Sequence, residues 1–142
     1  MSTYPPLVYY KEAAEYLAHY QRVYCGGCIS THDGIMVRFR MGNFEHIFYE
    51  SSRRDGVKDR FSRKRAEHID WIRAALQDAS VPLYVGWDHK KKRYDHGRRV
   101  AVAQGNYVVV IHLTGMVKAD HVTAYLADHE TVSKIENGPL WV

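Results

Sequence analysis

His46 has sequence surroundings that suit proton transfer. It lies within the segment Phe44–Tyr49, flanked by aromatic and aliphatic residues, just before a segment rich in arginine. A neutral imidazole in a partly apolar pocket, close to cations that hold a phosphate, can act as general base toward a ribose 2′-hydroxyl. The alternative is a histidine of the core that hydrogen-bonds to the backbone.

A second group of proton-competent side chains lies further along the chain. His121, Thr123 and Tyr125 occupy alternate positions of one predicted strand, so the pattern predicts that they share one face of a sheet. Three such groups are unusual on a core face and fit the floor of a cleft. The alternative is a partly solvated edge strand.

Positive charge is concentrated in two short segments. The chain has 142 residues and a formal net charge of +4. Residues 53–65 carry seven Lys and Arg against two Asp, and residues 88–99 carry six against two, so the rest of the chain is acidic overall. Such segments attract an anionic partner electrostatically. The aromatic residues within them, Phe61 and Tyr94, favour a nucleic acid as that partner. The alternative is a pair of solvated loops.

The start of the predicted second helix is unfavourable for the helix itself. Ser62 is the expected N-cap, and Arg63, Lys64 and Arg65 occupy the first turn. The helix dipole disfavours cations there by roughly a few tenths of a kcal/mol each. A bound phosphate would remove the conflict, because free N–H groups and three cations would converge on one anion. The alternative is that Arg63 and Lys64 extend into water.

The second basic segment supplies further groups for contact with an anionic partner. We predict this segment to be a loop that grips a nucleic-acid backbone or provides a general acid. Tyr94 can stack on a base there. The residues concerned are His89, Lys91, Lys92, Tyr94, His96, Arg98 and Arg99.

The motif Cys25-Gly-Gly-Cys28, followed by His32, is half of a zinc knuckle or a redox pair. A complete metal site needs a fourth ligand, and the sequence has no second motif of this kind. We therefore predict no metal and no cofactor, and small residues that turn a helix into a strand are the simpler interpretation. Paired carboxylates at convergent spacing are also missing, which argues against a two-metal nuclease.

The elements that must position these residues are predicted to be helices first and strands afterwards. Helical periodicity indicates helices over 7–24 and 63–76, and alternation indicates a strand over 34–41. Residues 43–51 fit either a helical turn or a strand. Later strands are expected at 83–87, 99–103, 107–113 and 121–126, with a closing helical segment at 128–135. We predict an α+β fold in which N-terminal helices pack on a four-stranded antiparallel sheet.

Composition limits the class of protein. Hydrophobic residues make up 46% of the chain and charged residues 25%, as in ordinary globular domains, and the length suits a single domain. No apolar stretch approaches the ~20 residues of a membrane span. The first residues lack the basic and apolar regions of a signal peptide. We therefore expect a soluble, cytoplasmic protein with no membrane partner.

Three segments, 44–49, 61–76 and 121–125, resemble the barnase–EndoU–colicin–RelE superfamily, most closely its toxin domains associated with phages and mobile elements. The likeness covers roughly residues 34–127, a nuclease-like core between an N-terminal helix and turn (1–33) and a C-terminal tail or short helix (128–142). It implies a helical segment followed by a four-stranded antiparallel sheet. It also implies a metal-independent ribonuclease that cleaves RNA by attack of its own 2′-hydroxyl.

The resemblance also implies roles and partners. We expect a toxin-like endoribonuclease that cleaves tRNA or mRNA, leaves a 2′,3′-cyclic phosphate and is covered by an acidic antitoxin or immunity protein. The alternatives are a non-catalytic nucleic-acid-binding module and a degenerate nuclease-fold domain that binds other proteins. The matching catalytic positions are His46, Arg65, Thr123 and Tyr125. Charge and aromatic character add Arg63, Lys64, Lys91, Lys92, Tyr94 and Arg99 as phosphate- or RNA-binding residues.

Overall fold

The computed structural model of the protein describes residues 4–51, 53, 55 and 57–141, so Arg54 and Gly56 of the first basic segment lie outside the described residues. Its α helices are α1 (Ala13–Val23), α2 (Phe44–Phe48), α3 (Arg63–Glu67), α4 (Ile69–Gln77) and α5 (His129–Glu136). Its strands are β1 (Cys28–Ser30), β2 (Met36–Arg38), β3 (Tyr49–Glu50), β4 (Arg60–Phe61), β5 (Leu83–Asp88), β6 (Arg93–Ala103), β7 (Tyr107–Leu113) and β8 (Lys118–Leu126). None of these helices is long and apolar enough to cross a membrane.

Six strands form one mixed sheet in the order β1-β2-β8-β7-β6-β5, and β3 pairs with β4 separately. The α+β class is therefore confirmed, but the sheet is larger than the predicted four strands. Strands β5 to β8 form the expected antiparallel meander, and the β1–β2 hairpin extends it by pairing β2 in parallel with β8. Strand β2 lies within the predicted strand 34–41, whereas β1 was not predicted, because a strand of three residues gives almost no periodicity.

Helices α1 to α4 lie on one face of the sheet and enclose the larger part of the core. Tyr16, Tyr20 and Tyr24 recur every four residues along α1, so they share one side of the helix and are fully buried. Their hydroxyls donate to the backbone carbonyls of Val8, Arg40 and Ile69. Because each buried hydroxyl has an acceptor, the rings bury apolar area without an unpaired polar group.

A smaller cluster lies on the opposite face, where valines of β6 and β7 pack against Val132 of α5. Asp128 is the N-cap of α5, and its carboxylate accepts a hydrogen bond from the N–H of Thr131 (2.8 Å). The chain beyond α5 returns along β5, where the carbonyl of Pro139 accepts from the N–H of Val85 (2.9 Å). This short helix covers only part of the face.

Two helix boundaries differ from the prediction. Helix α1 begins at Ala13 rather than after Pro6, because Glu12 caps it in a reciprocal pairing with Glu15. The predicted second helix has the expected N-cap, Ser62, but is divided at His68. The His68 imidazole donates to the carbonyl of Lys64 (2.7 Å), the acceptor that a continuous helix would reserve for the His68 backbone N–H.

The second basic segment is a hairpin rather than the predicted loop. The carboxylate of Asp88 accepts from the N–H groups of Lys90 (2.9 Å) and Lys91 (3.1 Å), and Lys92 adopts a left-handed conformation (φ 50°). This tight turn returns the chain at once, so β6 already begins at Arg93, opposite Asp88. Most of the basic residues therefore lie on or next to strands, in a fixed register.

Candidate functional site

A cleft of about 760 Å³ opens on the face of the sheet that α5 covers only in part; we call it the sheet cleft. Its floor is apolar and consists of Val85, Gly86, Val100, Val110, Val122 and Ile135. Its polar and aromatic lining consists of His46, Trp87, His89, Tyr94, Arg98, Thr123, Tyr125, Thr131, Lys134 and Asn137. No Asp or Glu occurs among the described lining residues, so the cleft suits an anionic ligand.

A bulge in β8 decides which polar groups reach the sheet cleft. Thr123 lies opposite Val110, but His121 lies opposite the next residue of β7, Ile111, so Val122 is an extra residue. Thr123 and Tyr125 therefore face the cleft, whereas His121 faces the helices. The prediction that all three share one face is wrong, because an inserted residue shifts the alternation by one position.

The same bulge fixes His46 in place. The amide of Asn43 donates to the carbonyls of His121 and Val122 (3.1 Å each), which ties the start of α2 to β8. Residues Phe44 and Ile47 bury the inner side of α2, so His46 on the outer side is exposed and lines the sheet cleft. The alternative of a core histidine is thereby excluded for His46.

The surroundings of His46 favour its neutral form. Partial burial lowers the pKa of His46 below its ordinary value of 6.5, and the positive charges of Lys58 and Arg65 lower this pKa further. A neutral imidazole at pH 7 has a free nitrogen lone pair that can accept a proton. His46 is therefore in the state that a general base requires.

Arg65 lies beside the sheet cleft rather than in its lining. Its guanidinium carbon is 5.8 Å from the ring centre of Tyr125, and its Nε is 3.7 Å from a carboxylate oxygen of Glu50. Its Nη1 also donates, at 3.4 Å, to the carbonyl of Ile47 in α2. Burial raises the pKa of Tyr125 although the charge of Arg65 opposes this, so the phenol keeps its proton and can donate it in a hydrogen bond.

Arg98 reaches the polar lining of the sheet cleft through a second irregularity. Gly86 pairs with Asp95 and Val85 with Arg99, so residues 96–98 bulge out of the β5–β6 ladder. A Cβ at position 86 would lie 2.4 Å from Cγ of Arg98, so only glycine lets this side chain cross the strand. A glycine inside the predicted strand 83–87 was the available sequence signal for this close approach.

Arg98 has unused hydrogen-bonding capacity. Its Nε is buried and has no hydrogen-bond partner in the part of the chain that the structure describes. The carboxylates of Asp88 and Asp95 lie near enough to interact with its charge, but both accept hydrogen bonds from backbone N–H groups of the hairpin. An oxyanion in the cleft would complete the hydrogen bonding of Arg98.

The other predicted phosphate-binding arginines are occupied elsewhere. Arg99 lies on the helix-covered face, is 2% exposed, and pairs through Nη1 with Asp33 (2.8 Å). Arg63 donates to the carbonyls of Tyr10 and Lys11, so it holds the segment before α1. The prediction that these two arginines join the anion site is therefore not supported by their positions.

The remaining predicted RNA-binding residues lie at different distances from the sheet cleft. Lys64 is exposed on α3 and is absent from the cleft lining. Lys91 and Lys92 are exposed in the turn of the β5–β6 hairpin. Tyr94 follows this turn and does line the cleft. The hairpin therefore connects the exposed lysines to the cleft.

The two cysteines lie at the ends of the turn between α1 and β1 and are free thiols. Burial raises the pKa of Cys25, which disfavours the thiolate needed for metal binding or redox exchange. Within the described ranges, no three His, Cys, Asp or Glu side chains are placed to hold a metal ion, so Cys25, Cys28 and His32 do not form such a site.

The sheet cleft combines groups that bind an anion with groups that transfer protons. Two histidines, one arginine, one lysine and two hydroxyl side chains of β8 line the same space. Comparisons with protein-family models, curated proteins and solved structures found no match.

Proposed function

We propose that the protein is a metal-independent endoribonuclease that cleaves RNA by attack of the ribose 2′-hydroxyl on the adjacent phosphodiester. The observation that supports this most directly is the sheet cleft itself. It has two histidines, His46 and His89, for proton transfer, and it has cations but no carboxylate among its described lining residues. A phosphodiester is an anion whose internal transfer needs one base and one acid.

We assign one proton transfer of this reaction to each histidine. Neutral His46 accepts the proton of the 2′-hydroxyl as its oxygen forms a bond to phosphorus. The bond from phosphorus to the 5′ oxygen breaks, and His89 gives a proton to that oxygen. The products are a 2′,3′-cyclic phosphate and a free 5′-hydroxyl. Removal of either histidine should lower the rate by about 10²–10⁴-fold, the usual contribution of a general acid or base.

Arg98, Thr123 and Tyr125 supply the hydrogen bonds to the phosphate. The guanidinium of Arg98 and the hydroxyls of Thr123 and Tyr125, which line the cleft, can donate to the non-bridging oxygens, whose negative charge increases as the 2′ oxygen attacks. Arg65 supports this set from outside the lining, through its position against Tyr125. We assign Arg65 a positioning role.

The resemblance noted above extends this proposal to a toxin-like role. A partner that blocks the sheet cleft would need acidic side chains to match Arg98 and Lys134 at the site. Electrostatic steering would make such an association fast and sensitive to salt. An acidic antitoxin or immunity protein has this chemistry.

The test is incubation of the purified protein with total RNA and with tRNA in EDTA. We expect cleavage by the wild type with cyclic phosphate ends, and almost none by His46→Ala. The matched control is His129→Ala, because His129 is an exposed histidine of α5 outside the cleft lining. Salt-dependent binding of RNA without any cleavage would contradict the proposal and favour a binding module instead.

A further inference from the structure

The β5–β6 hairpin places two aromatic side chains at one end of the sheet cleft. Trp87 and Tyr94 are opposite one another in the antiparallel register, with ring centres 5.0 Å apart in an edge-to-face arrangement. Both line the cleft, and they remain 41% and 39% exposed. Large aromatic groups left open to solvent inside a cationic cleft are suited to contact with a ligand that has aromatic faces.

The turn of the same hairpin carries consecutive cations. Residues 90–93 are Lys-Lys-Lys-Arg, and all four are exposed. Their backbone is held by the carboxylate of Asp88, which accepts from Lys90 and Lys91, so the turn has a defined shape. Cations next to an aromatic pair match a polymer in which phosphates alternate with bases.

We propose that this hairpin selects unpaired RNA, with one base next to the scissile phosphate stacked against Trp87 and Tyr94 and the following phosphates held by residues 90–93. This inference rests on the proposed function, because it names the form of RNA that the sheet cleft accepts. It goes beyond the cleavage chemistry, because it assigns a base contact to the hairpin. In-line attack of a 2′-hydroxyl is itself disfavoured in an A-form duplex, so the Trp87 variants, rather than the wild-type preference alone, test the hairpin.

The selection follows from the accessibility of base faces. In a duplex each base is stacked on its neighbours, and the A-form major groove is too deep and narrow for side chains to read. An unpaired base can leave the stack and place its face on an aromatic side chain, a contact that is tolerant of base identity. The hairpin should therefore distinguish single-stranded from double-stranded RNA more strongly than it distinguishes one base sequence from another.

The same aromatic pair also has a structural role, since opposed aromatic residues stabilise a hairpin. Two substitutions separate the roles. Trp87→Phe keeps an aromatic face, whereas Trp87→Leu keeps apolar bulk on the strand and removes the stacking surface. Thermal unfolding of both variants reports any loss of the hairpin itself.

The experiment compares three RNA substrates with the same cleavage step: a ribodinucleotide, a single-stranded oligonucleotide and that oligonucleotide annealed to its complement. We expect wild type to prefer the single strand to the duplex. Trp87→Leu should raise KM for the single strand by between about 5-fold and 150-fold, the range for loss of one stacked base, with kcat little changed. Trp87→Phe should stay close to wild type. The matched control is Tyr9→Ala, which removes an aromatic side chain that is 70% exposed and lies outside the cleft lining.

Failure of this inference differs from failure of the proposed function. Equal cleavage of single strand and duplex by wild type, or an unchanged KM in Trp87→Leu, would overturn the inference while ribonuclease activity remains. If no substrate is cleaved, the inference is still tested by measuring how tightly the protein binds a fluorescently labelled single strand and the corresponding labelled duplex. Preferential binding of the single strand, lost in Trp87→Leu and kept in Trp87→Phe, supports the selection, and equal binding of both forms refutes it.

Discussion

Arg98 and Arg99 are adjacent in the chain but lie on opposite faces of the sheet, in very different environments. Arg99 is buried and pairs with Asp33 at 2.8 Å. Arg98 lies in the sheet cleft, where its buried Nε has no hydrogen-bond partner among the described residues. One face thus uses an arginine to hold the fold together, and the other keeps an arginine available for a ligand.

Two residues of β8, separated only by Val122, show the same difference. His121 is 5% exposed and stacks on Phe39 with ring centres 4.6 Å apart, whereas Thr123 lines the sheet cleft. The face of the sheet, rather than the residue type, therefore separates polar groups enclosed in the core from polar groups that a ligand in the cleft can reach. Substitutions on the helix-covered face should change stability, and those on the cleft face should change activity.

The largest expected effect is a loss of activity in Arg98→Ala, on the cleft face of the sheet. Loss of one donor to a developing oxyanion typically lowers kcat by about 10²–10³-fold, and the free energy of unfolding should change little. Gly86→Ala should also lower activity, since its Cβ would lie 2.4 Å from Cγ of Arg98. The control is Gly27→Ala, which meets nothing within 4 Å. Steady-state kinetics on a single-stranded RNA checks this, and wild-type kcat in Arg98→Ala would remove Arg98 from the site.

The next effect is a dependence of stability on pH that arises on the other face. Burial lowers the pKa of His121 from 6.5 to about 3, with a smaller contribution from His46. Below about pH 6.5 the unfolded chain binds a proton that the folded protein excludes. The free energy of unfolding therefore decreases as the pH is lowered, by up to about 1.4 kcal/mol per pH unit, until the pH approaches about 3.

His121→Phe isolates this effect from that of other groups. The substitution keeps a ring against Phe39 and removes the titrating group, so the loss of stability between neutral and acidic pH should become smaller. Urea unfolding of both proteins at pH 7 and at pH 4.5 measures the difference. The same pH dependence in the two proteins would show that His121 is not excluded from protonation in the folded state.

Arg99→Ala should destabilise the protein without altering the chemistry. Loss of its bond to Asp33 removes a hydrogen bond between charged groups, which corresponds to about 1.5–3 kcal/mol. The denaturation midpoint should fall, and kcat of the folded protein should remain close to wild type. A large fall in kcat at unchanged stability would mean that the two faces are not separated as described.

The smallest effect concerns the acidic limb of the pH–rate profile. Because the pKa of His46 lies below 6.5, kcat/KM should decline only below that pH as the base becomes protonated. Lys58→Gln removes one of the positive charges that lower this pKa, so the limb should move toward higher pH. An acidic limb that stays in place in Lys58→Gln would argue against His46 as the titrating base.

Sequence reasoning succeeded where a signal was local and repeated. The α+β class, the Ser62 N-cap and the strand Tyr107–Leu113 follow from the order of predicted elements, capping preference and β-branched residues, and the structure has all three. For His46 the sequence left a cleft position and a core position open, and the structure places it in the cleft lining. Its catalytic role remains a prediction.

Some failures come from irregular strand pairing. The extra residue Val122 in β8 turned His121 to the other face, and the bulge at 96–98 let the side chain of Arg98 cross β5 at Gly86. Arg98 and Arg99 lie on opposite faces by ordinary alternation, and the prediction for Arg99 failed because charge alone does not assign a face. Alternation assigns faces only while the ladder is regular, and one inserted residue reverses every later assignment. The parallel pairing of β2 with β8 depends on contacts distant in sequence, which no local pattern records.

The most direct measurement uses a single-stranded oligoribonucleotide that wild type cleaves at one known position, and the same molecule with a 2′-deoxynucleotide on the 5′ side of that position. Both are incubated with the protein in EDTA, and the ends of the products are determined. Our account predicts cleavage of the all-ribose molecule to a 2′,3′-cyclic phosphate and no cleavage at the modified position. Cleavage at the deoxynucleotide, or products with a 5′-phosphate, would contradict attack by the 2′-hydroxyl and with it the function assigned to the sheet cleft.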